Sequence, residues 1–197
     1  MIRVVHTGFF ACVVAVLVSG CGTSSPVRHY GLVAVETSVQ FPVSDEFAIS
    51  VGPFRIAEYL NRSQIVTRGD GVKMNRAEFD LWAEPLLKSF QRAVADNLAV
   101  LLDSDRVLDF PAYAELTAGY QLPGQVTRFD TDPGGLAVLE IQWMVKDIDD
   151  NRIVPARRSR YTGQVASPGE YSSVVEALSE LIGSFSRDVA ATLAELP

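Results

Sequence analysis

Two stretches of the chain place apolar residues on one side of a helix. The first begins at Pro85, a residue tolerated in the first turn of a helix, and ends near Asp103. Its stripe repeats every three or four residues and consists of Leu87, Phe90, Val94, Leu98 and Leu101. The second runs to the C-terminus, and its stripe consists of Val174, Leu178, Leu181, Ile182, Phe185, Val189, Leu193 and Leu196. The pattern predicts two long amphipathic helices that need a sheet or a partner to cover their apolar sides.

Other stretches alternate between apolar and polar residues, which is the period of a strand. Residues 47–51 predict a strand that Gly52-Pro53 ends or places at a sheet edge. A long strand is predicted at residues 136–145, and its inward set is Ala137, Leu139, Ile141, Trp143 and Val145. Further strands are predicted at residues 29–33, 64–68, 107–110, 120–129 with an interruption at Pro123-Gly124, and 152–163.

Turn and capping residues connect these elements. Residues 69–71, Gly-Asp-Gly, predict a hairpin, and turns at residues 130–135 and 147–151 make the last three strands a meander. Residues 36–46 lack periodicity and predict a loop.

Two capping boxes predict helix starts. Asn75 with Glu78 predicts a short helix through Trp82, which Pro85 then breaks or kinks. Ser167 with Glu170 predicts the start of the last helix, with Pro168 at its first position.

The predicted elements combine into one fold class. We expect an α/β fold with α+β character, in which two long amphipathic helices pack on one mixed, largely antiparallel sheet of about five to seven strands. Residues 29–197 fit a single domain with a sizeable core. Trp82 and Trp143 are interpreted as core anchors, because aromatic side chains dominate protein cores.

The N-terminal residues have the pattern of a secretory signal. Arg3 is followed by an apolar run at residues 9–18 and by the small residues Ser19 and Gly20, directly before Cys21. This arrangement resembles the lipobox of bacterial lipoproteins. The resemblance implies a signal peptide at residues 1–20, a covalent lipid on Cys21 and a short tether over residues 21–28. Gly22, where an Asp would resemble an inner-membrane retention signal, implies the periplasmic face of the outer membrane.

Two alternatives to this reading of the N-terminus remain open. An uncleaved transmembrane helix needs roughly 20 apolar residues, which this run reaches only by including His6, Thr7 and Ser19. In an ordinary secreted protein, Cys21 would be incidental.

The net charge argues against one class of partner, and the cysteine content argues against disulfide bonds. The net charge is -7, and it becomes -8 once a signal containing only Arg3 is removed. An acidic surface is repelled by phosphate backbones, so nucleic acid is a poor partner. With Cys12 in the signal and Cys21 modified, no cysteine remains for a disulfide.

The residues needed for catalysis or metal binding are scarce. His29 is the one histidine left after removal of a signal containing His6, and no free cysteine accompanies it, which argues against nucleophilic catalysis. A calcium loop starting at Asp147 fails because Arg152 and Arg158 occupy its Gly and Glu positions. We therefore predict a protein that is not an enzyme, with no catalytic residue, no metal site and no cofactor other than the lipid on Cys21.

Two alternative functions remain open, an envelope hydrolase and a lipid-binding module. An envelope hydrolase would use carboxylates, and Asp130, Asp132 and Glu140 lie close together in a predicted hairpin, although such turn and edge carboxylates are usually solvated. A lipid-binding module would hold an acyl chain between the sheet and the helices, although the apolar stripes are better explained as core.

Basic residues are the candidates for partner contacts. The cluster on the last predicted strand can serve as a charged edge that discourages strand pairing, or as a contact for an acidic partner or lipid headgroup. The candidates are Arg62, Arg68, Arg157, Arg158 and Arg160.

Several segments resemble a known family. The most specific are Tyr59-Leu60-Asn61-Arg62 and Trp82-Ala83-Glu84-Pro85-Leu86, accompanied by residues 51–53, 63–68, 79–81 and 96–98. Together they resemble the PqiC/YmbA-like family of ABC-type transport auxiliary lipoproteins, from about Tyr30 to the last helix. Asn61 in the first segment and Ser63 directly after it occupy positions where the family would have Asp and Pro.

The resemblance implies a non-enzymatic auxiliary protein. Members of this family are anchored by lipid in the outer membrane and work with a periplasmic MCE-domain protein and an inner-membrane component to move lipids between membranes and preserve membrane integrity. The resemblance also implies a docking role, a ring-shaped homo-oligomer and a Rossmann-like or anticodon-binding-like sandwich fold.

Overall fold

The computed structural model describes residues 26–44, 47–111 and 118–196. The predicted signal peptide, Cys21 and the tether up to residue 25 lie outside the described residues. In this part of the chain, every helix falls short of the length or the apolar character that crossing a membrane requires. The elements in chain order are β1 (Arg28–Tyr30), β2 (Ile49–Ile56), a 3-10 helix (Glu58–Leu60), β3 (Gln64–Arg68), β4 (Met74–Trp82), α1 (Leu86–Leu102), β5 (Val107–Asp109), β6 (Tyr120–Thr131), β7 (Leu136–Trp143), β8 (Lys146–Asp147), β9 (Arg157–Gln164) and α2 (Tyr171–Ala194).

The larger of two sheets has the strand order β5-β2-β6-β7-β9, and β8 pairs with the start of β6. β2 is parallel to both β5 and β6, whereas β6, β7 and β9 are successively antiparallel. The predicted meander is therefore confirmed. The inward set predicted for residues 136–145 is buried, and β7 packs against α2.

The smaller sheet has the order β1-β4-β3. β3 and β4 form the predicted hairpin, whose turn is closed by the Gly69 amide donating to the Lys73 carbonyl oxygen at 2.9 Å. β1 lies parallel to the end of β4, with Arg28 opposite Asp80 and Tyr30 opposite Trp82. β1 thus begins one residue before the predicted start of the domain.

The two predicted helices pack against each other and against the large sheet. Phenylalanines from four elements fill the centre of this interface. Phe90 contacts the rings of Phe54, Phe129 and Phe185, with centroids 5.4, 5.7 and 6.4 Å apart. The fold class predicted from the sequence, two amphipathic helices on a mixed open sheet, is confirmed, although the strands form two sheets where one was predicted.

Residues 31–44 form an extended strap that lies along both helices. Buried polar side chains of the helices accept its amide protons: Val35 donates to Asn97 Oδ1 at 2.9 Å and Leu32 donates to Ser89 Oγ at 3.2 Å. The Phe41 amide donates to the Leu101 carbonyl oxygen at 2.6 Å. The loop predicted for residues 36–46 is confirmed over residues 36–44, where it is held against the core, and residues 45–46 lie outside the described residues.

The short helix predicted from Asn75 to Trp82 is wrong, because this segment is β4. Pairing with β3 on one side and with β1 on the other gives its backbone two sets of partners, and Ala77 and Trp82 enter the core. A nonlocal sheet therefore overrides a local capping signal.

Two predictions at prolines differ from the structure. β2 does not end at Gly52-Pro53 but continues to Ile56. The alternative prediction, a sheet edge, agrees with the structure there, because β5 pairs only with Ile49–Val51. The Gly52-Pro53 bond is cis, Gly52 has a φ of 119° and the pairing with β6 shifts register. A side chain at Gly52 would need the same positive φ, which strongly favours glycine. β6 likewise runs uninterrupted through Pro123 and Gly124.

The capping box predicted for the last helix is not formed. Glu170 is the N-cap of α2 and no side chain caps the helix, whereas the Ser167 amide donates to Ser173 Oγ at 3.0 Å. Ser167 and Pro168 therefore lie in the connection before the helix. The predicted stripe of α2 is buried apart from the half-buried Leu196.

Candidate functional site

Two separate stretches of the chain meet at a cleft of about 380 Å³. One follows the 3-10 helix and the other joins β4 to α1. The sheet brings them together, because the Trp82 amide donates to the Ser63 carbonyl oxygen at 2.7 Å. We call this the Arg62 cleft, and it is lined by Asn61, Arg62, Ser63, Trp82, Glu84, Pro85 and Leu86.

The first wall of the Arg62 cleft is a tight turn. The Leu60 amide donates to the Ala57 carbonyl oxygen at 2.9 Å, and the buried Leu60 side chain fixes the turn to the core. Arg62 Nε donates to the carbonyl oxygen of Tyr59 at 2.7 Å. This bond holds the guanidinium beside the cleft, where a planar cation suits a carboxylate or carbonyl group of a partner.

The second wall is the start of α1. Pro85 is the N-cap residue, and its carbonyl oxygen accepts the amides of Lys88 at 2.9 Å and Ser89 at 3.1 Å. Glu84 Oε1 accepts from Arg92 Nη2 at 2.7 Å. Trp82 and Leu86 are buried beneath this charged rim. The cleft therefore combines an apolar base with charged edges, which is a pattern found in binding sites.

Behind the turn, the fully buried carboxylate of Asp130 is the centre of a charge cluster. The Tyr59 hydroxyl donates to Asp130 Oδ2 at 2.8 Å, and Nε of Arg68 and of Arg128 donate to Oδ1 at 2.9 and 2.8 Å. Burial and the bond to Asp130 raise the pKa of Tyr59 above its ordinary value. Burial alone would lower the pKa of Arg68, but the hydrogen bond and charge of Asp130, together with Tyr59, outweigh burial and raise that pKa.

A second buried aspartate, Asp80, lies in the small sheet. Arg28 binds it with two nitrogens, Nε to Oδ1 at 2.6 Å and Nη2 to Oδ2 at 2.8 Å, and the Tyr30 hydroxyl donates to Oδ1 at 2.9 Å. The hydrogen bond from Arg28 lowers the pKa of Asp80 below its ordinary value. This ion pair fixes β1 against β4.

The three carboxylates considered for a hydrolase have separate structural partners. The prediction that they are solvated is wrong for Asp130, whose side chain is 0% exposed. Asp132 Oδ1 accepts the Leu136 amide at 2.9 Å inside the turn, and Glu140 lies 3.6 Å from Arg160 Nε. Each group thus stabilises the fold where it stands.

The three arginines of β9 lie on the last strand of the sheet path. Arg157 is held against α2, since Nη1 donates to Thr192 Oγ1 at 3.0 Å and the guanidinium lies 5.6 Å from the Trp143 ring centroid. Arg158 and Arg160 are opposite Gln142 and Glu140 in the register. Their placement at an edge strand fits the charged-edge interpretation, and a role in partner contacts stays a prediction.

Arg68 lies apart from the other candidates. It lines a second cleft of about 450 Å³ between the β3–β4 turn, the β6–β7 turn and the start of α2, which we call the Arg68 cleft. The structure therefore does not bring Arg62, Arg68 and the β9 arginines into one site.

Within residues 26–44, 47–111 and 118–196, no group of three or more His, Cys, Asp or Glu side chains is arranged to hold a metal ion. Asp147 instead accepts the Asp150 amide through Oδ1 at 3.0 Å, as in a polar turn. Trp82 and Trp143 are buried, as predicted.

An acyl chain between the sheet and the helices would compete with the phenylalanine cluster. Phe90 and Phe185 are 0% exposed and contact each other and their neighbours across that interface. A lipid there would have to displace these rings, so no observation favours the lipid-binding alternative.

The residues that form the Arg62 cleft lie within a match to a known protein family. A family model described as the ABC-type transport auxiliary lipoprotein component matches residues 30–190. That range contains both walls of the Arg62 cleft. No curated protein matches the chain.

Two solved structures share the fold. One, the crystal structure of an uncharacterized protein, is 18% identical, with a TM-score of 0.68 over 86% of this chain and 99% of the other. The second is protein XCC0632 from Xanthomonas campestris, of family DUF330, which is 16% identical, with a TM-score of 0.69 over 85% and 95% of the two chains. At these identities the likeness shows the fold alone.

Proposed function

Because the chain belongs to the family of ABC-type transport auxiliary lipoprotein components, whose model matches residues 30–190, we propose that it is the non-catalytic docking subunit of an MCE-type intermembrane lipid transport system. The family match carries this proposal. Membership in a family of auxiliary lipoproteins places the protein in the cell envelope and favours a role other than catalysis. The periplasmic MCE-domain protein and an inner-membrane component are the proposed partners.

The Arg62 cleft is the proposed contact for the MCE-domain protein. Both of its walls come from the segments that carry the family resemblance, and its Arg62 and Glu84 rim offers charge-assisted hydrogen bonds to a partner. The charged groups buried nearby are already paired, since Asp130 is held by Arg68 and Arg128. The site is therefore suited to binding a protein surface.

The anchor is proposed to be lipid on Cys21, which would hold the domain at the periplasmic face of the outer membrane. The lipobox pattern at residues 18–21 and Gly22 support this address. A homo-oligomer is proposed as the assembled form that meets the end of an MCE conduit.

Site-specific crosslinking in cells tests the docking role. A photo-crosslinking amino acid at Ser63, which is exposed at the Arg62 cleft, should capture the MCE-domain protein. The same group at Asp149, exposed in the turn after β8, is the matched control and should not. Arg62→Glu should weaken capture several-fold. Capture from neither position, or equally from both, would contradict the proposed contact.

A further inference from the structure

The turn of the β3–β4 hairpin carries an aliphatic side chain with almost no protein contact. Val72 is 98% exposed, and Met74 at the start of β4 is 37% exposed. The turn itself is closed, because the Gly69 amide donates to the Lys73 carbonyl oxygen and the Lys73 amide to the Asp70 carbonyl oxygen. The Val72 side chain is thus presented outward on a formed turn. We call residues 69–73 the hairpin tip.

The chain enters the domain from the side of this tip. β1 is parallel to β4, with Arg28 opposite Asp80, so the residues before Arg28 approach from the Met74 end of β4. Val27, the residue at that entry, is 50% exposed. Arg28 binds Asp80 through two hydrogen bonds, and the charges of both residues act on Tyr171, the first residue of α2 and part of the lining of the Arg68 cleft. The entry therefore lies near the start of α2.

The length of the N-terminal segment limits how far the tip can be from an anchor on Cys21. The seven residue steps from Cys21 to Arg28 span at most about 25 Å when fully extended. Along β4, the six steps from Asp80 to Met74 cover about 20 Å in the same direction. A lipid on Cys21 would therefore keep the bilayer surface close to the level of the hairpin tip.

The charges at the hairpin tip are balanced, which favours insertion of Val72 into a bilayer over electrostatic attraction of the tip to anionic lipid. Asp70 and Lys73 flank Val72 with opposite charges, and the whole chain is acidic. A lysine beside an exposed aliphatic residue can extend its stem along apolar surface while its ammonium stays at the headgroups. The tip thus matches the boundary between headgroups and acyl chains of a bilayer.

From these observations we propose that the hairpin tip rests on the bilayer that holds the anchor, with Val72 inserted at the headgroup boundary. The inference depends on the proposed lipid at Cys21. It orients the domain: the Arg68 cleft opens at the membrane surface. The Arg62 cleft, at the far end of β4, is held about 26 Å further out, since eight residue steps of a strand separate Met74 from Trp82.

Single-cysteine labelling of the full lipidated chain tests this orientation. With Cys12 in the signal and Cys21 carrying lipid, an introduced cysteine is the sole free thiol of the processed protein. Val72→Cys and Ile148→Cys each receive a bimane label. Ile148 is the matched control, because it is an aliphatic residue that is 40% exposed. Its amide donates to the Gly119 carbonyl oxygen, just before the start of β6. That end of β6 lies about 35 Å from the Arg68 cleft by strand length.

The labelled proteins are reconstituted in vesicles of phosphatidylethanolamine and phosphatidylglycerol whose acyl chains carry bromine as a quencher. We expect quenching at position 72 to exceed that at position 148 several-fold. Equal quenching at both positions overturns the inference. So does a blue-shifted label at position 72 that bromine does not quench, because a second copy or a protein partner would then cover the tip.

Flotation of the same vesicles separates this inference from the function on which it rests. A chain that floats with the vesicles without selective quenching at position 72 keeps its anchor and loses the proposed orientation. A chain that does not float contradicts the anchor, and both proposals fail with it.

Discussion

Asp130 is the residue that joins the two sheets electrostatically. It lies on β6 of the large sheet, and Arg68, which binds it, lies on β3 of the small one. Arg128 and Tyr59 complete the shell around its carboxylate, so two cations and a hydroxyl compensate for the loss of water. Tyr59 also begins the turn that carries Arg62, which couples the buried cluster to the Arg62 cleft.

Replacing Asp130 with alanine should destabilise the protein by about 3 kcal/mol, because removing one partner of a buried ion pair leaves the other charges uncompensated. The partial exposure of both arginines keeps the expected value at the low end of that range. Urea unfolding of the purified chain measures it. Asp149→Ala, at an exposed turn, is the control and should change the free energy of unfolding by less than about 0.5 kcal/mol. Equal stability of the two variants would show that the cluster contributes little.

Asp80 makes part of the stability depend on pH. Its folded-state pKa is lowered by Arg28 from an ordinary value of 3.8. The unfolded chain therefore binds more protons between the two pKa values, and stability rises with pH in that window. The contribution is fully present above the ordinary pKa and is lost as pH falls through the folded-state pKa.

The comparison of wild type with Asp80→Asn isolates this effect. The stability advantage of the wild type should be constant near neutral pH and shrink between about pH 5 and pH 2. Unfolding free energies across that range measure it, with Asp149→Asn as the control. A difference that stays constant, or that grows as the pH falls, would contradict the assignment.

Neither buried aspartate could be predicted from the sequence. Asp130 precedes Thr131-Asp132-Pro133-Gly134, a run whose composition is that of an exposed turn. Its burial depends on Tyr59 and Arg68, residues more than 60 positions away in the chain. The apolar core residues were predictable because the periods of helices and strands place them on one face of each element. A buried ion pair leaves no such periodic pattern in the sequence.

At the scale of elements, the strap over the helices depends on polar residues in otherwise apolar surfaces. Asn97 is buried, accepts the Val35 amide through Oδ1 and donates through Nδ2 to the Ala93 carbonyl oxygen at 2.7 Å. Ser179 of α2 lies 3.4 Å from the Val33 amide in the same way. These side chains replace the sheet partners that an extended segment would otherwise need.

Asn97→Ala should therefore destabilise the protein by about 1–3 kcal/mol, since the Val35 amide loses its acceptor in a partly buried position. Thermal or urea unfolding measures the change. Asp96→Ala is the matched control, because Asp96 is the preceding residue of α1 but is half exposed, with a 3.6 Å ion pair to Arg92. Hydrogen exchange at Val35 should also accelerate in the first variant alone. Similar losses in both variants would refute the role given to Asn97.

The elements with a strong local pattern were predicted well. Both apolar stripes, the β3–β4 hairpin and the β6–β7–β9 meander are present because period and turn residues agree there. The sequence predicts a helix in place of β4 because Asn75 and Glu78 satisfy a capping pattern. The neighbouring residues give no sign of the two strands, β1 and β3, that pair with β4. The Arg62 cleft was missed as a unit for the same reason, although Arg62 itself was among the candidates.

At the scale of the whole molecule, the proposed anchor, the hairpin tip and the Arg62 cleft would follow one another along one direction. The tether enters near the tip, and β4 leads from the tip to the cleft. A short tether with the proposed tip contact would restrict tumbling of the domain on its lipid. The partner surface would then face away from the membrane, as docking to a periplasmic conduit requires.

That order depends on Cys21, and the variant Cys21→Ala tests it. A fully processed cysteine would carry three acyl chains, and each buried CH₂ contributes about 0.8 kcal/mol, so the wild type should remain with membranes through an alkaline wash. The variant should lose its lipid and leave the membrane fraction, as measured by immunoblotting of fractions and mass spectrometry of the N-terminal peptide. Cys12→Ala is the matched control, because Cys12 lies in the predicted signal, and it should fractionate as the wild type does. Retention of Cys21→Ala on washed membranes would instead support an uncleaved N-terminal helix, and the tip would then lose its proposed proximity to the bilayer.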